Sequence, residues 1–173
     1  CFKKGVSIIC QDCQFWCKKG VKVDHVALYS YNQAMKEYFS RYKFDGDYLL
    51  RKVFSEILQK ELKKYKDYQI VIVPLSDQRF KSRGFNQVEG LIMETGLTYL
   101  DILVKKEVEA SSSKNRSDRL LAEFPFLLKD GVKLPENILL FDDIYTTGTT
   151  LNRLKSMFLE AGCQNIKTFS LAR

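Results

Sequence analysis

No apolar run in this chain approaches the roughly 18 residues needed to cross a bilayer, so a membrane-spanning segment is not expected. The opening Cys1-Phe2-Lys3-Lys4-Gly5 has a basic start but no apolar stretch behind it, which argues against a secretion signal. An initiator methionine is missing too, and the expectation is that the sequence begins inside a longer gene product. There is one histidine, His25, with no serine, cysteine or ligand cluster beside it, so it is assigned no catalytic role. A G-x-x-x-x-G-K-[ST] element is absent, which removes a P-loop reading. Internal repeats and low-complexity tracts are absent as well, leaving no basis for a solenoid.

What is present suits one ordinary domain with a small appendage. The 173 residues are 45% hydrophobic, enough for a packed core. The formal charge of +7 serves solubility or a polyanionic partner, and composition does not separate the two. Arg79, Lys81, Arg83, Lys105, Lys106, Lys114, Arg116 and Arg119 gather in the central segments.

Cysteines gather at the front instead: Cys1, Cys10, Cys13 and Cys17, with Cys163 alone near the end. A disulfide framework suits a secreted mini-protein, which this is not. Cys10-Gln11-Asp12-Cys13 has the spacing that lets two thiolates grip one tetrahedral zinc ion, and Cys1 lies at a plausible distance for a third. The fourth ligand is then a cysteine upstream of Cys1, or Cys17. Free thiols in a clipped tail are the alternative.

Beyond Lys18-Lys19-Gly20, the alternation from Val23 to Tyr31 predicts a strand. Tyr31, Ala34, Met35, Tyr38, Phe39 and Tyr42 follow helical spacing and form a core-facing stripe. A second helix is expected from Tyr48 to Lys66, capped by Asp47. Ile70-Val71-Ile72-Val73 and Ile138-Leu139-Leu140-Phe141 look like strands buried on both faces of a parallel sheet. Helical spacing returns from Phe85 to Glu94 and from Leu151 to Ala161, where Gly162 ends the helix. Further strands are expected at Leu100–Val104 and around Ile166–Leu171, with a Ser-rich charged loop from Glu109 to Asp118. Strands alternating with helices predict an α/β fold with a mostly parallel sheet flanked by helices.

The segment from Ile138 to Leu151 carries the chemistry. A buried strand ends in Asp142 and Asp143, and a hydroxyl-rich turn then opens a helix. Ligands of open α/β sheets bind at the carboxyl ends of strands. The first amides of a helix lack intrahelical partners, and its dipole adds partial positive charge there. Thr146, Thr147, Thr149 and Thr150 add hydroxyl donors, and Gly148 permits close backbone approach. Together they form a cradle for one phosphate. Two acids beside a phosphate make sense if the ligand also bears a vicinal diol, for which Asp142 and Asp143 are acceptors.

This stretch resembles the phosphoribosyl diphosphate (PRPP) motif of type I phosphoribosyltransferases. The resemblance implies that Asp142 and Asp143, the catalytic pair, meet the ribose hydroxyls, while Thr146 to Thr150 hold the 5′-phosphate. It also places Leu75-Ser76-Asp77-Gln78-Arg79 as a pyrophosphate loop and Glu107 to Arg119 as a closing loop bearing Lys114, Arg116 and Arg119, with Mg2+ accompanying PRPP. A narrower likeness joins three segments in order: Tyr42-Lys43-Phe44-Asp45-Gly46, Arg83-Gly84-Phe85-Asn86-Gln87-Val88-Glu89, and the Asp-Asp-Ile-x-Thr-Thr-Gly element. On these the chain is similar to the ComF competence family. That family implies a four-cysteine zinc module before a phosphoribosyltransferase-like domain. Residues 1–20 are then the remnant of the module, with Cys1, Cys10 and Cys13 on zinc, and residues 21–173 are the main domain.

The family likeness implies a cytoplasmic protein, working at the inner face of the membrane through partners. It implies help in the uptake of single-stranded transforming DNA with a competence helicase. Phe80, Phe85 and Tyr145 lie near the site in sequence and are either stacking surfaces for bases or core residues. The alternative is an active phosphoribosyltransferase, with Arg79 and Arg116 or Arg119 neutralising pyrophosphate. A third reading makes the site a sensor, in which bound PRPP biases the loop from Glu109 to Asp118.

Overall fold

The computed structural model describes residues 10–106 and 124–173. Cys1, Lys114, Arg116, Arg119 and the expected closing loop lie outside the described residues.

A short helix α1, Gln11–Lys18, precedes strand β1, His25–Tyr29, and helix α2, Gln33–Lys43. Helix α3, Ser55–Leu62, leads to strand β2, Gln69–Ile72, followed by α4, Asp77–Arg83, and α5, Gln87–Met93. Two short strands, β3 at Leu103–Lys105 and β4 at Phe126–Leu128, pair antiparallel. Strand β5, Asn137–Ile144, helix α6, Thr149–Glu160, and strand β6, Asn165–Ala172, complete the order.

The main sheet has four strands in the order β1-β6-β5-β2, every pair parallel. This is the expected α/β architecture, and its interior explains the apolar runs. Ile138, Leu139, Leu140 and Phe141 are all fully buried, because β5 is central and helices cover both faces. One face packs Leu139, Phe141 and Ile72 against Phe39 and Tyr42 of α2, Leu58 of α3 and Leu91 of α5. The other face packs Ile138, Leu140 and Val71 against Leu151, Leu154 and Phe158 of α6.

Three expectations need correction. The helix foreseen from Tyr48 to Lys66 is shorter, with 3-10 turns at Tyr48–Lys52 and Lys63–Tyr65 on either side of α3. Asp47 makes no capping bond; its carboxylate accepts from Arg41 instead, at 2.7 Å. The strand foreseen at Leu100–Val104 begins later, and Leu100 makes only an isolated parallel bridge to Val71. The aromatic stripe of α2 is a core face, as expected, for Met35, Phe39 and Tyr42, whereas Tyr31 and Ala34 are exposed.

Candidate functional site

Strands β2 and β5 lie side by side in register, Ile72 opposite Phe141, so their exits leave the sheet together. At this carboxyl edge lies a cavity of about 510 Å³. Its walls are Lys43 and Phe44 at the end of α2, Val73, Pro74 and Leu75 after β2, Arg79, Ser82 and Arg83 of α4, and Gln87 of α5. Lys105, Phe126, Asp142, Asp143 and Thr150 complete them.

The two acids play different parts. Asp143 is buried, and its Oδ2 lies 2.5 Å from Lys43 Nζ. Its Oδ1 accepts from its neighbour, the Ile144 N–H, at 2.6 Å. Burial opposes ionisation of Asp143, but the Lys43 ammonium and hydrogen bonds from Lys43 and Gln87 outweigh it and hold the carboxyl below its usual range. Asp142 is only half-buried, and its Oδ1 accepts from the Asp143 N–H at 2.9 Å. Burial and the adjacent Asp143 charge push the Asp142 carboxyl well up. Asp143 is therefore a fixed anion neutralised from within, and Asp142 is the more exposed of the two and keeps its proton to higher pH.

Cations line the same cavity. Arg79 is exposed on α4. Arg83 Nε donates to the Lys43 carbonyl at 3.1 Å, and its Nη1 donates to Gln87 Oε1. Phe44, 77% exposed, stands at the rim with the Arg83 guanidinium 5.7 Å from its ring centre.

The turn after β5 is tight. Gly148 has φ 76°, and a Cβ there would sit 2.1 Å from the Tyr145 hydroxyl, so only glycine fits. No side chain caps α6. Thr147 Oγ1 lies 2.8 Å from Thr149 Oγ1 and accepts a long 3.4 Å bond from the Thr149 amide. Among the predicted cradle residues only Thr150 lines the cavity; Thr146, Thr147, Gly148 and Thr149 form the bend beside it.

The predicted pyrophosphate loop is a strand exit followed by a helical turn: Leu75 and buried Ser76 precede α4, which starts at Asp77. Leu75 and Arg79 reach the cavity, whereas Ser76, Asp77 and Gln78 are not among its lining residues. Lys105 is among the central basic residues noted in the sequence, whereas sequence reasoning missed Lys43, Gln87 and Phe44 as site residues. The signal for these three was in view, because Lys43 and Phe44 lie in Tyr42-Lys43-Phe44-Asp45-Gly46 and Gln87 in Arg83-Gly84-Phe85-Asn86-Gln87. Of the aromatic stacking candidates, Tyr145 is buried against His25 and Phe85 packs on Tyr42 and Tyr48, so Phe80 alone is exposed. His25 is a buried residue of β1, hydrogen-bonded to Thr168 and Ser170; burial, with Arg173 nearby, pushes its pKa down to about 3.

In the front segment, Cys10 and Cys13 are buried with sulfurs 3.6 Å apart. Two thiolates on one tetrahedral zinc ion, each about 2.3 Å from the metal, stand about 3.8 Å apart, so the pair fits that ion. Among the described residues no group of three or more metal-ligating side chains forms, so exposed Cys17 does not join the pair.

Fold and cavity define an α/β protein with an acid-and-base-lined pocket at the carboxyl edge of a parallel sheet. No family model matches the chain. It is 62% identical over its full length to "Competence protein ComFC" of Streptococcus pneumoniae, covering 79% of that protein. It is 33% identical over 98% of its length to "Competence protein ComFC" of Bacillus subtilis, covering 74%. To "Competence protein F" of Haemophilus influenzae it is 25% identical over 83% of its length, covering 69%. The chain belongs to the ComFC family of competence proteins.

Proposed function

We propose that this protein serves natural competence, assisting the entry of single-stranded transforming DNA, and that its cavity binds PRPP or a related phosphoribosyl ligand. One observation carries the ligand reading: Asp142, beside the Lys43-paired Asp143, shares one cavity with Arg79, Arg83 and Lys105 at the exits of β2 and β5. A diol needs acceptors and a diphosphate needs cations, and this cavity offers both within the reach of one sugar phosphate. Beside it, the glycine turn and the uncapped start of α6 offer the 5′-phosphate its donors. In this reading the chain carries the phosphoribosyltransferase-like domain that its family resemblance implies.

Magnesium takes oxygen ligands, and the raised Asp142 carboxyl is the group a nearby cation would favour in its charged form. The residues therefore fit a PRPP-borne Mg2+, which when bound supplies charge neutralisation at the diphosphate. Asp142 orients the diol, while Lys43 keeps Asp143 ionised and fixed. In the front segment Cys10 and Cys13 would hold Zn2+, with Cys1 as a companion.

Titration calorimetry with PRPP and Mg2+ tests the reading. Wild type is expected to bind, and Asp142→Asn/Asp143→Asn to lose at least about tenfold in affinity, the cost of roughly one charge-assisted hydrogen bond. Wild type that does not bind PRPP would refute it. Pyrophosphate release in the same samples, across a panel of bases, separates a transferase from a binding protein. A salt titration of single-stranded DNA, with zinc-loaded protein and the competence helicase present and absent, tests the DNA and partner roles.

A further inference from the structure

The Cys10–Cys13 knuckle meets the phosphate turn once directly and once through Arg173. Trp16, on α1 three residues after Cys13, is 4% exposed, and its indole N–H donates to the Thr147 carbonyl at 3.0 Å. On the other side, Arg173 Nη2 donates to Cys10 Sγ at 3.5 Å, and the same guanidinium lies 4.7 Å above the Tyr145 ring. The Tyr145 hydroxyl accepts from Asn152 at 3.1 Å and fills the space where a side chain at Gly148 would stand. One contact thus holds the carbonyl before Gly148, and the other packs beneath Gly148 itself.

The geometry of the peptide gives the first contact its consequence. Among the described residues no peptide bond is cis, and in a planar trans peptide the carbonyl and the following N–H point in opposite directions. By fixing the Thr147 carbonyl toward the knuckle, Trp16 fixes the opposite direction for the Gly148 N–H. A turn with a glycine at its centre has the freedom to flip that peptide, so an external hydrogen bond selects one orientation. Helix α1 has eight residues, too few to persist without docking. The Cys10–Cys13 pair spans its first turn, so whatever secures the two sulfurs also secures the indole.

We infer that Trp16 is a positioning residue for the phosphate turn, through which the integrity of the cysteine knuckle sets the turn's affinity for a phosphate monoester. The affinity part rests on the phosphoribosyl reading above; the mechanical coupling does not. The knuckle, on this inference, is a remote wall of the ligand site as well as a folded appendage.

The chain has one tryptophan, so its emission reports this contact without interference. The test uses the full chain as wild type, Trp16→Phe and Cys10→Ser/Cys13→Ser. Amide hydrogen exchange without ligand is expected to speed up about 5- to 10-fold at residues 146–150 in both variants, the loss of one hydrogen bond, with β5 protection unchanged. The cysteine variant should also shift Trp16 emission to the red as the indole becomes wet. Calorimetry with ribose 5-phosphate should show Kd raised by a similar factor in both. Wild-type exchange at residues 146–150 in a folded Trp16→Phe protein overturns the inference. If Trp16→Phe does not fold, unaltered loop exchange and emission in the cysteine variant overturn it instead. Altered loop exchange with no ribose 5-phosphate binding by wild type supports the coupling and sinks the phosphoribosyl reading.

Discussion

Helices α4 and α6 flank the same cavity, yet α6 buries Leu151, Asn152, Leu154 and Phe158 while α4 buries none of its seven residues. The α6 wall is an extension of the core, clamped between β5 and β6 and bent once at Gly148. The α4 wall hangs on polar contacts, chiefly Arg83 to the Lys43 carbonyl and to Gln87, with Gly84 in the left-handed region as its stop. A site needs one side that places a ligand and another that adapts to it. Here the acids and the turn lie on the rigid side, and the cations of α4 lie on the adaptable one. Lys43 crosses between them, since its ammonium holds Asp143 while its carbonyl holds Arg83.

That contrast is broken most severely at Lys43. Lys43→Met leaves Asp143 buried without its counter-charge, and urea denaturation should show a loss of about 3–5 kcal/mol. Next comes the rigid wall itself: Leu154→Ala should cost about 2–5 kcal/mol, because Leu154 is fully buried under β5. A stability loss below about 1 kcal/mol there would show that α6 is not anchored as described.

Asp142→Asn tests the site by pH. The folded-state carboxyl of Asp142 is raised above the ordinary 3.8, so the folded protein binds this proton more tightly than the unfolded one. The stability from Asp142 is therefore fully present below the unfolded pKa and is lost as pH rises toward the folded one. Removing the titration should make the variant more stable than wild type at neutral pH, with a Tm difference that grows as pH rises above 3.8. Asp143 has the opposite sign, its contribution being lost as pH falls. The smallest expected change in stability belongs to Arg79→Ala, within about 0.5 kcal/mol for an exposed site on α4. Its PRPP affinity should nevertheless fall about tenfold, as one charge-assisted contact is lost.

The rigid wall was legible in the sequence, and the adaptable one was largely not. Ile138 to Phe141 announces a buried strand because every residue is apolar, and the acids, glycine and amphipathic helix follow in order. Helix α4 leaves no such trace: Asp77-Gln78-Arg79-Phe80-Lys81-Ser82-Arg83 has one apolar residue, and Phe80 is 49% exposed. A helix that buries nothing imposes no periodicity. Lys43 stands in a segment that marks its position, but its partner Asp143 comes a hundred positions later, so only tertiary contact identifies the pair. Trp16 and Thr147 pose the same difficulty, with 131 positions between them. The closing-loop residues Lys114, Arg116 and Arg119 lie outside the described residues.

The order of the sheet has a further consequence, for the way the chain is made. Strand β1 has β6 as its neighbour, and the His25–Thr168 contact spans 143 positions. During synthesis from the ribosome β1 therefore lacks this neighbour until β6 has been released. Such distant pairing delays closure of the sheet and extends the time for which apolar strands are open to other chains.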